Sequence, residues 1–308
     1  MLKLASGLIL SLALNTSHAR LQLLPPDFSM EGNKEDYRLG DEWGKKRVTD
    51  EVLLKASKAF NRAAKATAIL PIGGTGFYIG KFNGIHVLAT NHHVCEDERA
   101  CVGDDAEFRL LNKRYTMTKL FASMPDIDLA LLAIEVPVED EKELLKIAKN
   151  FSFKKDITKG QELITIGFGV GGNPQNYMMS NQDSDCKVFS DSGEYRHMAD
   201  PDEFNPAPYK AWSFAHACDI SHGDSGSAMV DRKSGEVVGI VWTGRIPKSK
   251  VVQSSFNLES IFKKSSPAIW EELSYAVPAR KIGEHLKELS QDSQLEDGTK
   301  LLFKAIIQ

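Results

Sequence analysis

The stretch that decides how this chain is read is Gly223-Asp224-Ser225-Gly226-Ser227. A serine hydroxyl is a poor nucleophile unless a base takes its proton during attack. The oxyanion that then forms needs backbone N–H donors aimed at it. Glycine at Gly223 lets the backbone fold tightly and leaves its amide unobstructed, so the Gly223 and Ser225 N–H groups can form that pocket. Asp224 can be buried there, hydrogen-bonded or ion-paired, to hold the turn.

Two upstream segments offer the remaining groups. Ala89-Thr90-Asn91-His92-His93-Val94 carries adjacent histidines, and Asp126-Ile127-Asp128 leads into the apolar run Leu129-Ala130-Leu131-Leu132. A carboxylate buried before such a run needs hydrogen-bond donors. An imidazole N–H is one, and the carboxylate in turn fixes the tautomer that leaves the other ring nitrogen free for serine. The order along the chain is His, Asp, Ser. That is the order of chymotrypsin, and not of α/β-hydrolases or subtilisins.

Together these segments resemble the chymotrypsin-like (trypsin-like) serine proteases. Gly223-Asp224-Ser225-Gly226 is similar to their nucleophile motif. Thr90-Asn91-His92-His93-Val94 resembles the Thr-Asn-x-His-Val form of HtrA-type and bacterial extracellular members, and Gly74-Thr75-Gly76-Phe77 resembles the strand that precedes it. The resemblance selects His93, directly before Val94, over His92. It selects Asp128, directly before the apolar strand, over Asp126. A zinc site at His92 and His93 is disfavoured, because adjacent side chains of an extended segment point apart and no ligand spacing completes a tetrahedron. His86, His197, His216 and His285 read as structural.

The resemblance covers roughly residues 66–290. It implies a secreted serine endopeptidase that acts on proteins or peptides through an acyl-enzyme, without metal or organic cofactor. The fold it implies is all-β: two six-stranded antiparallel barrels, with His93 and Asp128 in the first and Ser225 in the second. Six residues before the nucleophile, Asp219 falls at the base of the primary specificity pocket, where trypsin-like enzymes bind Arg or Lys. Trp242, Thr243 and Gly244 resemble the wall that pairs with substrate backbone by strand addition, and His222 edges the pocket. The segment Ala217-Cys218-Asp219 also resembles glutamyl endopeptidases, in which an aspartate here need not touch substrate; those enzymes place histidine where this chain has Val241. The alternative is a protease-like scaffold that binds without cleaving, although no triad residue is missing. An HtrA-type quality-control protease is not expected, since the 30 residues after Pro278 are too few for a PDZ module.

The remaining organisation follows from composition and pattern. With 42% hydrophobic and 26% charged residues and a net charge of −4, the chain is globular and lacks the basic stripe of a nucleic-acid binder. Lys3, the apolar run Leu4 to Leu14 and the small residues of Ser17-His18-Ala19 read as a cleaved secretory signal at 1–19, leaving no membrane association afterwards. Export makes disulfides the expectation for Cys95, Cys101, Cys186 and Cys218. Three pairings are possible, and Cys95–Cys101 with Cys186–Cys218 is the sequence-local one.

Residues 20–65 read as an arm or propeptide with a helix over Thr49 to Lys65. The first barrel is placed at 66–150, ending in a helix-period stretch from Val138, and the second at 151–278. A terminal helix and tail occupy 279–308. The arm's Arg47-Val48 offers a basic cleavage point, while Lys45-Lys46-Arg47 otherwise reads as a solvated patch. Residues 170–211 read as surface loops near a site.

Overall fold

The computed structural model describes residues 33–308 apart from residue 174. The expected signal segment 1–19 lies outside the described residues. A short arm strand, β1 (Lys45–Arg47), comes first. It is followed by β2 (Thr67–Ile69), β3 (Thr75–Phe82), β4 (Ile85–Thr90), β5 (Asp105–Phe108), β6 (Lys113–Met124) and β7 (Leu129–Ile134). Strands β2 to β7 close an antiparallel barrel in the order β2-β3-β4-β7-β6-β5. Asn83-Gly84 makes the turn between β3 and β4, with Phe82 paired to Ile85.

Strands β4 and β7 are almost continuously apolar because both of their faces are covered. Alternate residues of a strand face opposite sides. Leu88, Ala130 and Leu132 join Tyr78, Phe108 and Tyr115 in the barrel's own core. Val87, Ala89, Leu129 and Leu131 belong instead to a larger core shared with Ile164, Ile166, Ala228 and Val230 of the second half. The two halves therefore bury one common apolar seam.

The second half contains β8 (Leu163–Gly167), β9 (Met179–Asn181), β10 (Arg196–Ala199), β11 (Lys210–His216), β12 (Ala228–Asp231), β13 (Val237–Gly244) and β14 (Ser274–Pro278). They form an eight-stranded sheet with the arm strand, in the order β1-β9-β8-β12-β13-β14-β11-β10. The expected second six-stranded barrel is not shown as closed, its strands lying in this larger sheet with edges at β1 and β10. Residues 186–190 make only isolated bridges, Glu162 with Lys187 and Val188 with His216. Asp183 accepts the Asp185 and Cys186 amides at 3.0 and 2.9 Å, and this turn keeps the segment from running on as a ladder.

The helices follow their caps. Thr49 to Lys65 is two helices rather than one, Asp50–Lys55 and Lys58–Ala66. Ser57 accepts the Phe60 amide at 3.1 Å and starts a new helix where a single one was expected. Val138–Ile147 connects the halves as anticipated. The terminal helix Ala279–Leu289 is followed by a second, Asp297–Ile307, in place of a tail, because Leu302 and Phe303 are fully buried in the shared core. Two further helices, Ser255–Lys263 and Ile269–Glu272, lie between β13 and β14.

The cysteines pair as Cys95–Cys101 and Cys186–Cys218, with sequence separations of 6 and 32. Closing the longer loop removes more freedom from the unfolded chain, roughly 3.7 kcal/mol against roughly 2.4 kcal/mol. Replacing both Cys186 and Cys218 by alanine is therefore expected to lower the unfolding free energy by about 1 kcal/mol more than replacing Cys95 and Cys101. Urea titration of the two double variants measures the difference.

Candidate active site

Asp128 ends a tight 3-10 turn, Pro125–Ile127, in the left-handed conformation at φ 34°. That is an uncommon place for a side chain other than glycine, though aspartate tolerates it better than most. Its amide donates to Pro125 O at 3.0 Å, and its carbonyl accepts from buried Asn91 Nδ2 at 2.8 Å. The carboxylate, wholly buried, meets the histidine segment twice. His93 N–H donates to Oδ1 at 3.0 Å, and His93 Nδ1 lies 2.9 Å from Oδ2. Tyr209 Oη donates to Oδ1 at 2.7 Å.

Burial works against a charged His93, but the charge and hydrogen bond of Asp128, with the charges of Asp200 and Glu96, outweigh it and raise the imidazole above its ordinary value. His92 is different. Its Nδ1 is 2.7 Å from Ser123 Oγ and its ring packs edge-on to Tyr209. Burial lowers its basicity. Among the described residues no three His, Cys, Asp or Glu side chains cluster as metal ligands.

Ser225 sits on a loop held by its neighbours. Asp224 N donates to Ser221 O, Gly226 N to Val241 O and Ser227 N to Asp224 O, all at 2.9–3.0 Å. Among the described residues the Gly223 and Ser225 amides donate to no protein acceptor. Gly223 has φ +90°, and a Cβ there would lie 2.8 Å from Phe168 O. Only glycine combines that backbone with that approach.

Thr75 joins the loop to the first barrel. Its amide donates to Ser225 O at 2.9 Å and its hydroxyl to Gly223 O at 2.7 Å. Its carbonyl accepts from Thr90 Oγ1 at 2.7 Å. Gly226 packs so closely here that a Cβ would fall 1.9 Å from Thr75 O and 2.4 Å from Thr90 Oγ1. The serine's neighbour thus touches Thr90, three residues before His93.

The pocket expectations fare differently. Asp219 is 2% exposed, and its two oxygens accept the arm amides of Leu39 and Gly44 at 2.7 and 2.6 Å. Burial pushes its carboxyl up to about 7, against the lowering effect of those two amides. Each of its oxygens thus accepts one arm amide. His222 is bound to Asp202, Nε2 to Oδ2 at 2.7 Å, with Tyr37 Oη 3.4 Å from Nδ1. Trp242 is turned inward and donates from Nε1 to Ser213 Oγ at 2.9 Å. Thr243 donates its hydroxyl to Asp200, and Gly244 pairs through its backbone with Ser274.

Three residues here were not anticipated from sequence. Tyr209 emerges from the polar segment 200–209, where a tyrosine gives no signal that it will reach a carboxylate 81 positions away. Lys45, from the patch expected to be solvated, is buried and ion-paired with Asp224. Lys248 donates to Leu273 O at 2.8 Å and Ser274 Oγ at 3.1 Å behind Gly244. Burial, opposed by nearby carboxylates, pulls its ammonium down to about 7.

No curated protein matches the chain in sequence. Among solved structures, the Rv3671c protease of M. tuberculosis H37Rv in an inactive form is similar at 16% identity and TM-score 0.49, over 81% of this chain and 98% of that one. Its active form gives 17% and 0.46, over 82% and 91%. The HtrA-type protease AlgW with a tripeptide gives 18% and 0.45, over 78% and 63%. The family described as "Trypsin-like peptidase domain" matches residues 74–240, more than half of the sequence and the span that holds His93, Asp128 and Ser225. By that match the chain belongs to the trypsin-like peptidases, and it is a serine peptidase.

Proposed function

We propose that this peptidase cuts peptide bonds with Ser225 as nucleophile, His93 as general base and Asp128 as the carboxylate that orients it. The observation that carries this reading is the contact between His93 Nδ1 and the buried Asp128 carboxylate at 2.9 Å. With the ring proton held on Nδ1, the lone pair is on Nε2, where a base for serine needs it. Ser225 Oγ attacks the carbonyl carbon as its proton passes to Nε2. The negative oxygen is received by the Gly223 and Ser225 amides, the two that the loop leaves uncommitted. The imidazolium then protonates the departing amine, leaving an acyl-serine. Water, deprotonated by the same nitrogen, releases the second product.

Substrates are proteins or peptides. A preference for basic residues rests on Asp219, whose two oxygens also accept the arm amides of Leu39 and Gly44. The two disulfides support an oxidising compartment, in keeping with an exported chain. No described helix is long and apolar enough to cross a membrane.

Replacing Ser225 or His93 by alanine is expected to lower kcat about a millionfold, and Asp128→Asn about ten-thousandfold. Hydrolysis of a peptide library and labelling by an organophosphonate serine probe measure this. An unlabelled Ser225 in the wild type supports the non-catalytic scaffold instead.

The base must be neutral to accept a proton, and His93 is raised above 6.5. The acid limb of kcat/KM against pH is therefore expected above 6.5, with activity rising as pH rises through it. In Tyr209→Phe the Asp128 carboxylate loses a donor and holds the imidazolium more tightly. The limb moves to higher pH, and kcat/KM falls about tenfold, the order of one hydrogen bond to a charged group. A limb at or below 6.5 in the wild type refutes the assignment of His93.

A further inference from the structure

The geometry points to Lys45 as the positioning residue that holds the nucleophile loop in its working shape, which makes the arm 33–48 an internal activator of the site. This rests on the triad reading and extends it to a part of the chain that was expected to be discarded or solvated.

The loop turns on Asp224, which lies between Gly223 and Ser225. Its carboxylate is packed out of water, with 2% of the side chain exposed. Gly169 N–H donates to Oδ1 at 3.1 Å. Ser221 reaches Oδ2 with its amide at 2.7 Å and its hydroxyl at 3.1 Å. These donors are neutral. The one cation bonded to the group is the Lys45 ammonium, itself 2% exposed along its side chain. A buried carboxylate without its counter-charge is driven back towards solvent. The residues on either side of Asp224 supply the two uncommitted amides, so that excursion carries the oxyanion donors away with it.

Lys45 is delivered by a segment tied along its whole length. Lys45, Lys46 and Arg47 pair with Asn181, Ser180 and Met179 as the edge of the sheet, and Val48 N donates to Met178 O at 2.9 Å. Upstream, Leu39 and Gly44 donate to Asp219, five residues before Asp224. Gly40 N donates to Val252 O at 2.9 Å, and Lys248 N to Asp36 O at 2.8 Å. The arm grips both ends of the segment 219–224, Asp219 by two amides and Asp224 by one ammonium. A cut that releases the arm switches this site off; the Arg47-Val48 bond is not an activation point.

The test compares wild type, Lys45→Met, and the double variant Lys45→Met with Asp224→Asn, by kcat and KM on one peptide, by the rate of phosphonate labelling at Ser225, and by thermal unfolding. Lys45→Met is expected to lose about a hundredfold in kcat and in labelling rate, the scale of a lost oxyanion donor, with KM within threefold. The double variant has no uncompensated charge and is expected to recover at least tenfold of the loss. A Lys45→Met enzyme within threefold of wild-type kcat overturns the proposal. So does a double variant that unfolds at the wild-type temperature yet regains nothing. If Lys45→Met does not fold, the double variant decides alone, activity supporting the proposal and a folded inactive protein refuting it. Wild type that fails to label at Ser225 refutes the triad reading and this one with it, whereas equal labelling of wild type and Lys45→Met refutes only this one.

Discussion

Thr75 is the point where the two halves of the molecule become one site. Its N–H, hydroxyl and carbonyl reach Ser225 O, Gly223 O and Thr90 Oγ1, and its hydroxyl also accepts the Phe168 amide at 3.1 Å. Histidine and aspartate belong to the barrel, and serine to the sheet beyond it. Apolar packing along the seam is strong but has no preferred register at the scale of a hydrogen bond. Four short bonds converging on one wholly buried residue supply that register, and a catalytic constellation tolerates misplacement of well under an ångström.

The second half carries an unusual load of buried charge, and most of it answers to the arm. Asp219, Asp224 and Lys248 each lose most of their contact with water. Asp219 is compensated by arm amides, Asp224 by an arm ammonium, and the Lys248 backbone is tied to the arm carbonyl of Asp36. Burying such groups singly is costly. Their placement in one region makes sense when the arm is part of the folded unit from the start, entering the sheet as β1 rather than lying over a finished surface.

What the sequence revealed and what it concealed divide along physical lines. Gly223 and Ser225 were legible because the backbone geometry they serve is local, set by residues adjacent in the chain. The antiparallel barrel was expected from the family resemblance, and within it Asn83-Gly84 is a local turn signal between β3 and β4. The pairing of His93 with Asp128 spans 35 positions and came only from a family resemblance. Tyr209, Lys45 and the actual partner of Asp219 had no comparable guide, since each depends on a contact between segments that share no pattern. Lys45 left no trace. In β1 it is buried while Lys46 and Arg47 are exposed, yet three consecutive cations carry no period that singles out the first. The second sheet is larger than expected for a related reason: the strands that enlarge it, β1 and β9, have three residues each.

The loop 200–209 shows why the missed residues matter to the chemistry. Tyr209 bonds the Asp128 carboxylate, Asp200 takes the Thr243 hydroxyl, Asp202 holds His222, and Glu203 N–H donates to Ile246 O at 2.9 Å. One segment therefore contacts the base's partner, the nucleophile loop and the end of β13 at once. Asp200 is itself shifted upward by burial, with its hydrogen bonds opposing, and its charge adds to that of Asp128 in raising His93. A change in how this loop seats on β13 alters the field at His93. Basicity of the His93 imidazole and the packing of the segment on β13 thus depend on the same ten residues, and a substitution that moves the loop moves both.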